Sequence, residues 1–235
     1  MKNIRKSTDR GEAETSWLKS QHSFSFGEYY DKNHMGFGPL RVINEDWVAP
    51  DAGFGMHGHK NMEILTYVLS GVLAHKDSLG TGADIRPGEI QLMSAGSGIM
   101  HSEINPSSTD TTHLLQIWIM PDALNTQPSY QQKPFARTEM QGVLRPIATP
   151  DGREGSLVIK SSASVYAGIL PLAGTLKFPT QEKRKYWVQV ACGGVDFAQT
   201  YLTAGDGLAI EKETGILTFA AAEEGTEVLL FDLPA

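Results

Sequence analysis

Two short segments place metal-binding side chains two residues apart, His57-Gly58-His59 and His101-Ser102-Glu103. In an extended strand alternate side chains share a face, about 7 Å apart along the backbone, so both members of each pair can point into one cavity. Three imidazoles and one carboxylate can then converge on a single first-row divalent ion, with bonds of roughly 2.0–2.2 Å. A closed structural site would ordinarily use cysteine, whereas this set leaves positions open for water, dioxygen or a substrate oxygen. One histidine alone is ordinarily a hydrogen-bonded core or surface residue, but two pairs at strand spacing outweigh that reading. All seven histidines (His22, His34, His57, His59, His75, His101 and His113) precede residue 114, so only the first half can host this chemistry.

Strands must position these pairs, and the chain reads as β-rich. Short runs of Val, Ile, Leu, Thr and aromatics recur between Gly, Pro, Asn and Asp. Strands are expected over 40–43, 63–69, 71–76, 90–94, 113–119, 157–161, 186–191, 207–210, 215–220 and 228–232. Between Asn125 and Gly155 the composition shifts to Gln, Pro, Lys, Arg and Gly, which marks a long connection. Two units are expected, residues 1–130 with the ligand pairs and residues 131–235 without them. A weak internal repeat supports this, since Glu63–Val72 resembles Tyr186–Val195 and Pro87–Met93 resembles Ala204–Ile210. Sliding one copy onto the other sets His57 and His59 near Thr180 and Glu182, and His101 and Glu103 near Thr218 and Ala220.

Composition narrows the function classes. The 235 residues are 40% hydrophobic, enough for a real core, and carry a net charge of -7. An acidic chain whose basic run is only Lys183-Arg184-Lys185 is expected to bind no nucleic acid. Ser7–Glu14 is polar where an export signal would be apolar, and apolar windows such as Tyr67–Ala74 and Val228–Leu233 are far too short to span a membrane. Cys192, the single cysteine, excludes an internal disulfide and is expected to be a small core residue. The expectation is a soluble, cytoplasmic protein.

The motifs themselves carry a resemblance. Gly53-Phe-Gly-Met-His-Gly-His-Lys-Asn-Met-Glu63 followed by Gly71 resembles the first cupin motif, and Gly98-Ile-Met-His101-Ser-Glu-Ile-Asn105 the end of the second. More specifically, His22–Asp31, Leu40–Asp46, Met62–Val68 and Met93–Glu103 are similar to the pirin family over most of residues 10–121. The ending Glu227–Pro234 resembles its bacterial, quercetinase-type members. Gly96 stands where cupins usually have proline, and seven residues rather than six separate Glu63 from Gly71; both features resemble pirins.

The resemblance implies an all-β bicupin of two jelly-roll-like barrels, with one divalent transition metal in the N-terminal barrel held by His57, His59, His101 and Glu103. Iron is the first expectation, with Zn, Cu, Co, Ni or Mn compatible. Glu63, the acidic ligand of general cupins, is then expected to fix an imidazole tautomer. His113 either lines the pocket or is a buried structural residue, and His22, His34 and His75 are read as ordinary. Phe54, Met56, Met62, Met93, Ile99 and Met100 form either an apolar mouth or barrel core. The implied activity is quercetin 2,3-dioxygenation, in which a flavonol is opened by dioxygen with release of carbon monoxide and Glu103 serves as ligand and general base. The alternatives are a pirin-like regulatory protein without turnover, whose partner surface the sequence does not reveal, and another cupin reaction such as sugar isomerisation. The second barrel is expected to serve packing.

Overall fold

The computed structural model describes residues 2–235; residue 1, the first position of the expected N-terminal unit, lies outside them. The earlier strands are β1 (Lys2–Arg5), β2 (Gly11–Glu14), β3 (Leu18–His22), β4 (Leu40–Val48), β5 (Gly53–His59), β6 (Glu63–Ser70), β7 (Leu73–Asp77), β8 (Gly82–Ile85), β9 (Glu89–Ser94), β10 (Ile99–Ile104), β11 (Thr112–Ile119) and β12 (Ser129–Pro134). The later ones are β13 (Arg145–Thr149), β14 (Leu157–Val158), β15 (Ser164–Leu170), β16 (Thr175–Thr180), β17 (Arg184–Cys192), β18 (Gly194–Phe197), β19 (Thr200–Thr203), β20 (Gly207–Glu211), β21 (Gly215–Ala221) and β22 (Thr226–Pro234). Among the described residues the only helices are short 3-10 turns, and none is long and apolar enough to cross a membrane.

Each unit combines a seven-stranded and a four-stranded sheet. In the first unit the orders are β12-β9-β6-β11-β4-β3-β2 and β5-β10-β7-β8; in the second they are β1-β20-β17-β22-β15-β13-β14 and β16-β21-β18-β19. The orders match strand for strand, so β6 corresponds to β17, β9 to β20 and β10 to β21. This is the expected all-β bicupin, although the strands form facing sheets rather than continuously closed barrels.

Alternation along single strands decides what each sheet face does. On β11, Leu114, Gln116 and Trp118 turn into the first unit, while Leu115, Ile117 and Ile119 turn away into the largest apolar core. That core also contains Val165, Leu229 and Phe231 from β15 and β22. The two large sheets thus pack face to face, and the second unit buries a surface that the first could not bury alone. Phe231 is fully buried there, so Phe231→Ala is expected to cost about 3–5 kcal/mol of stability. A denaturant midpoint that barely moves would contradict a shared core.

Two strands fall on the other side of the expected division of the chain. β1 pairs with β20, Lys2 opposite Ile210, so the first strand completes the second unit's sheet. β12 spans the expected 130/131 boundary and pairs with β9 in the first unit. Both cover edges that would otherwise expose unpaired backbone groups.

Pairing registers also correct the matching of the two copies. His57 lies opposite His101 and Phe54 opposite Glu103; the corresponding pairs in the second unit are Phe178 with Leu217 and Leu176 with Phe219. The positions of His57, His101 and Glu103 are therefore taken by Phe178, Leu217 and Phe219, and that of His59 by Thr180. The ungapped sequence match set the first pair two residues, and the second pair one residue, too far along the chain. Phe178, Leu217 and Phe219 pack into the second unit's own apolar core, which leaves no donors there for an ion.

Candidate metal centre

β5 and β10 are hydrogen-bonded neighbours, and their register brings His57, His59 and His101 together, whereas the donor atoms of Glu103 group with those of His101 and His75. The rings of His57 and His101 lie 4.4 Å apart between centroids, with His57–His59 and His59–His101 both at 4.8 Å. One nitrogen from each of the three lies within 4.8 Å of the others. The pairing shifts register between His101 and Glu103. Just beyond the shift the β5 backbone approaches β10 so closely that a Cβ at Gly53, whose φ is +158°, would collide with the Glu103 carbonyl oxygen. Glycine at this position lets Glu103 and the histidines share one cavity.

The electrostatics are those of a site short of a cation. His101 is completely buried, and neither ring nitrogen has a hydrogen-bond partner. Burial first, then the neighbouring histidines, holds its pKa down to about 2. His59 is lowered to about 4 by burial and by His57. Both rings are therefore neutral near pH 7, with lone pairs to offer. His57 Nδ1 donates to the Gly55 carbonyl at 2.8 Å, which leaves Nε2 as its free acceptor. Burial lifts the Glu103 carboxyl to about 7, against the opposing hydrogen bonds of Gln116 and Thr66. Gln116 Nε2 donates to both carboxylate oxygens at 3.0 Å. A divalent cation would pair the orphaned nitrogens and offset the buried negative charge together, so the residues present fit a metal ion.

Beside the cluster lies a cleft of about 360 Å³, with His57, His59 and Glu103 in its wall. Its apolar faces come from Phe26, Tyr29, Phe54 and Trp118, and a polar strip from β3 and β4 supplies Ser20, His22, Asn44 and Asp46. His22 Nδ1 donates to Asn44 Oδ1 at 2.8 Å, and the Ser20 hydroxyl donates to Asp46. Burial, aided by Glu103 and Glu45, raises the Asp46 carboxyl from 3.8 to about 7 despite that bond. Its folded pKa exceeds the unfolded one, so its contribution to stability is fully present below pH 3.8 and is lost as pH rises through about 7. Relative to wild type, Asp46→Asn is expected to gain roughly 2–3 kcal/mol between pH 5 and pH 8. Urea unfolding of the metal-free protein at both pH values reads this; parallel pH profiles would contradict it.

Several expectations need correction. Glu63 touches no imidazole; its Oε2 accepts from Ser94 Oγ at 2.8 Å and from the Lys160 backbone N–H at 3.1 Å, tying the two units together. Of the two readings of His113 the structural one holds, though the ring is only partly buried: it stacks on Trp47, hydrogen-bonds Glu45 at 2.9 Å and does not line the cleft. Of the proposed apolar mouth only Phe54 lines the cleft; Met93 and Ile99 are core, and Met56 and Met100 are exposed. Sequence reasoning missed Gln116, Thr66 and Asp46, although each is a polar residue interrupting an apolar strand. It also read His22 and His75 as ordinary, whereas His22 lines the cleft and His75 lies against His101 with ring centroids 5.3 Å apart.

Facing sheets in two matched units, with one histidine and glutamate cluster inside the first, define a bicupin of the metal-binding type. Comparison with known proteins sharpens this. Residues 3–119 match the Pirin family model and residues 146–233 match the quercetinase C-terminal cupin domain. The chain is 45% identical over 231 residues to quercetin 2,3-dioxygenase of Escherichia coli (strain K12), covering 98% of both chains. It is 38% identical to a pirin-like protein of Caulobacter vibrioides, covering 94% of each. The crystal structure of the bacterial pirin YhhW from Escherichia coli in complex with nickel(II) superposes with a TM-score of 0.94 at 45% identity, over 100% of this chain and 99% of that one. The chain belongs to the pirin family.

Proposed function

We propose that this protein is a metal-dependent dioxygenase that opens flavonols such as quercetin with dioxygen and releases carbon monoxide. The observation that carries this reading is the 360 Å³ cleft, faced by aromatic rings and opening directly on the His57, His59 and Glu103 side chains. A flat polyphenol matches aromatic walls with a polar strip better than a sugar would. The names of the relatives point the same way.

In this reading residues 1–130 hold one divalent ion through His57, His59, His101 and Glu103, and residues 131–235 bury the back of that unit. The nickel complex of the similar pirin puts nickel(II) beside iron among the candidate ions. Bound there, the ion supplies Lewis-acid charge for an ionised hydroxyl and for dioxygen chemistry. The chain's own residues do the rest. Glu103 accepts the proton of the flavonol 3-hydroxyl as the carboxylate nearest the cleft's ligand histidines. Gln116, donating to both oxygens, keeps the carboxylate aimed while it takes the proton. Phe26, Tyr29 and Trp118 stack on the flat substrate and exclude water, while Ser20, His22, Asn44 and Asp46 meet its ring hydroxyls.

The test is aerobic incubation of quercetin with protein reconstituted with iron, nickel, cobalt, manganese or copper in turn, following flavonol absorbance and carbon monoxide. Turnover with release of one carbon monoxide per flavonol is expected. Stoichiometric ion binding with no turnover for any ion would reject the dioxygenase and leave a binding protein.

A further inference from the structure

Behind the ligand pairs the first unit contains a histidine that the proposed mechanism does not use. His75, on β7, is 2% exposed, and its Nε2 lies 3.1 Å from Asp77 Oδ2. Asp77 is itself fixed, its Oδ1 accepting the backbone N–H groups of Leu79 at 2.9 Å and Thr81 at 3.0 Å. Facing a carboxylate, Nε2 carries the hydrogen and Nδ1 presents a lone pair. That Nδ1 is buried and has no hydrogen-bond partner. Tyr130 covers one side of the ring, 4.8 Å between centroids. The donor atoms of His75, His101 and Glu103 lie within 4.8 Å of one another, and all three residues are buried.

An imidazole oriented by a carboxylate through one nitrogen, with the other buried and unpartnered and the ring grouped with a second imidazole and a carboxylate, has the build of a metal-bound histidine with its outer support. A purely structural histidine in this position would be expected to satisfy both nitrogens. We propose that His75 is a metal ligand, forming with His101 and Glu103 an inner position for a divalent ion behind the outer one of His57, His59 and His101. His101 belongs to both triads, so the two positions are alternatives for one ion. The inner set of two nitrogens and one oxygen suits the same first-row ions. Two of the outer set, His57 and His59, line the cleft, whereas of the inner set only Glu103 does, so an ion in the inner position is set back from substrate. The inference rests on ion binding by this cluster and is independent of flavonol chemistry.

Cobalt(II) is the probe, with visible absorbance and metal content as readouts and circular dichroism to confirm folding. Wild type is compared with His57→Ala/His59→Ala, and with that double variant carrying His75→Ala or Asp77→Asn in addition. The double variant is expected to keep about one cobalt per chain, bound more weakly than in wild type. Adding His75→Ala should abolish binding, and adding Asp77→Asn, which leaves the ligand in place, should weaken it about 10–100-fold. Should His75→Ala fail to fold, the Asp77→Asn arm decides. The inner position is overturned if the double variant binds no cobalt, or if neither further substitution weakens what it binds. Failure of wild type to bind cobalt would instead overturn the metal centre as a whole, and with it the proposed dioxygenase.

Discussion

Replacing His101 with leucine is expected to weaken divalent-ion binding by at least about 100-fold, beyond the 10–100-fold typical of residues that merely support a ligand. The same change should leave the metal-free protein as stable as wild type, or more so. Both effects have one cause. His101 is fully buried with two unpartnered nitrogens, and each unsatisfied buried polar group costs about 1–3 kcal/mol. Leucine has no such groups, and the corresponding position in the second unit is Leu217, buried in an apolar core. Metal titration and urea unfolding of metal-free protein read the two halves. A variant that still binds the ion tightly would remove His101 from the ligand set. One destabilised by several kcal/mol without metal would show that its ring is needed for packing rather than for an ion.

Replacing Glu103 with glutamine is expected to lower flavonol turnover by about 10²–10⁴-fold, the range for losing a general base. The three histidines should still hold an ion, though less tightly. Raising the pH should recover part of the lost rate in this variant, because a flavonol that has already ionised in solution needs no base. Loss of a ligand alone would depress the rate equally at every pH, so the kcat profile separates the two roles. Stability gives a second readout with a definite sign. The folded carboxyl sits at about 7 against an ordinary 4.5, so in the metal-free wild type its contribution is fully present below pH 4.5 and is lost as pH rises through about 7. Glu103→Gln should flatten that part of the metal-free stability profile. An unchanged slope would mean that the carboxyl is not held in a charge-averse cavity.

Strands with apolar alternation were legible because their signal is local. Residues 63–69 and 113–119 differ from β6 and β11 by one residue at an end. β1, β2, β3, β8, β12, β13, β15, β16, β18 and β19 were not seen. Lys2–Arg5 and Gly11–Glu14 are mostly exposed, polar edge segments that acquire strand structure by pairing, in the case of β1 with residues some two hundred positions away. The expected strand over 157–161 shrinks to Leu157–Val158, with parallel pairing to β13 alone. Its apolar residues Leu157 and Ile159 enter the core between the two units, and burial of this kind does not require an extended ladder.

The amino-acid sequence by itself determined the donor chemistry, since His57, His59, His101 and Glu103 are paired at a spacing of two, and spacing within a strand is a local property. It also determined that the second half holds no histidine. Tertiary structure decided everything that depends on which strands become neighbours. It set His57 opposite His101, turned Gln116 toward Glu103 and Glu63 toward the second unit, and drew His75 rather than His113 to the cluster. The physical reason is the same in each case. Side chains of one type differ in role only through burial and partners, and both are created when strands distant in the chain pair and sheets close over them.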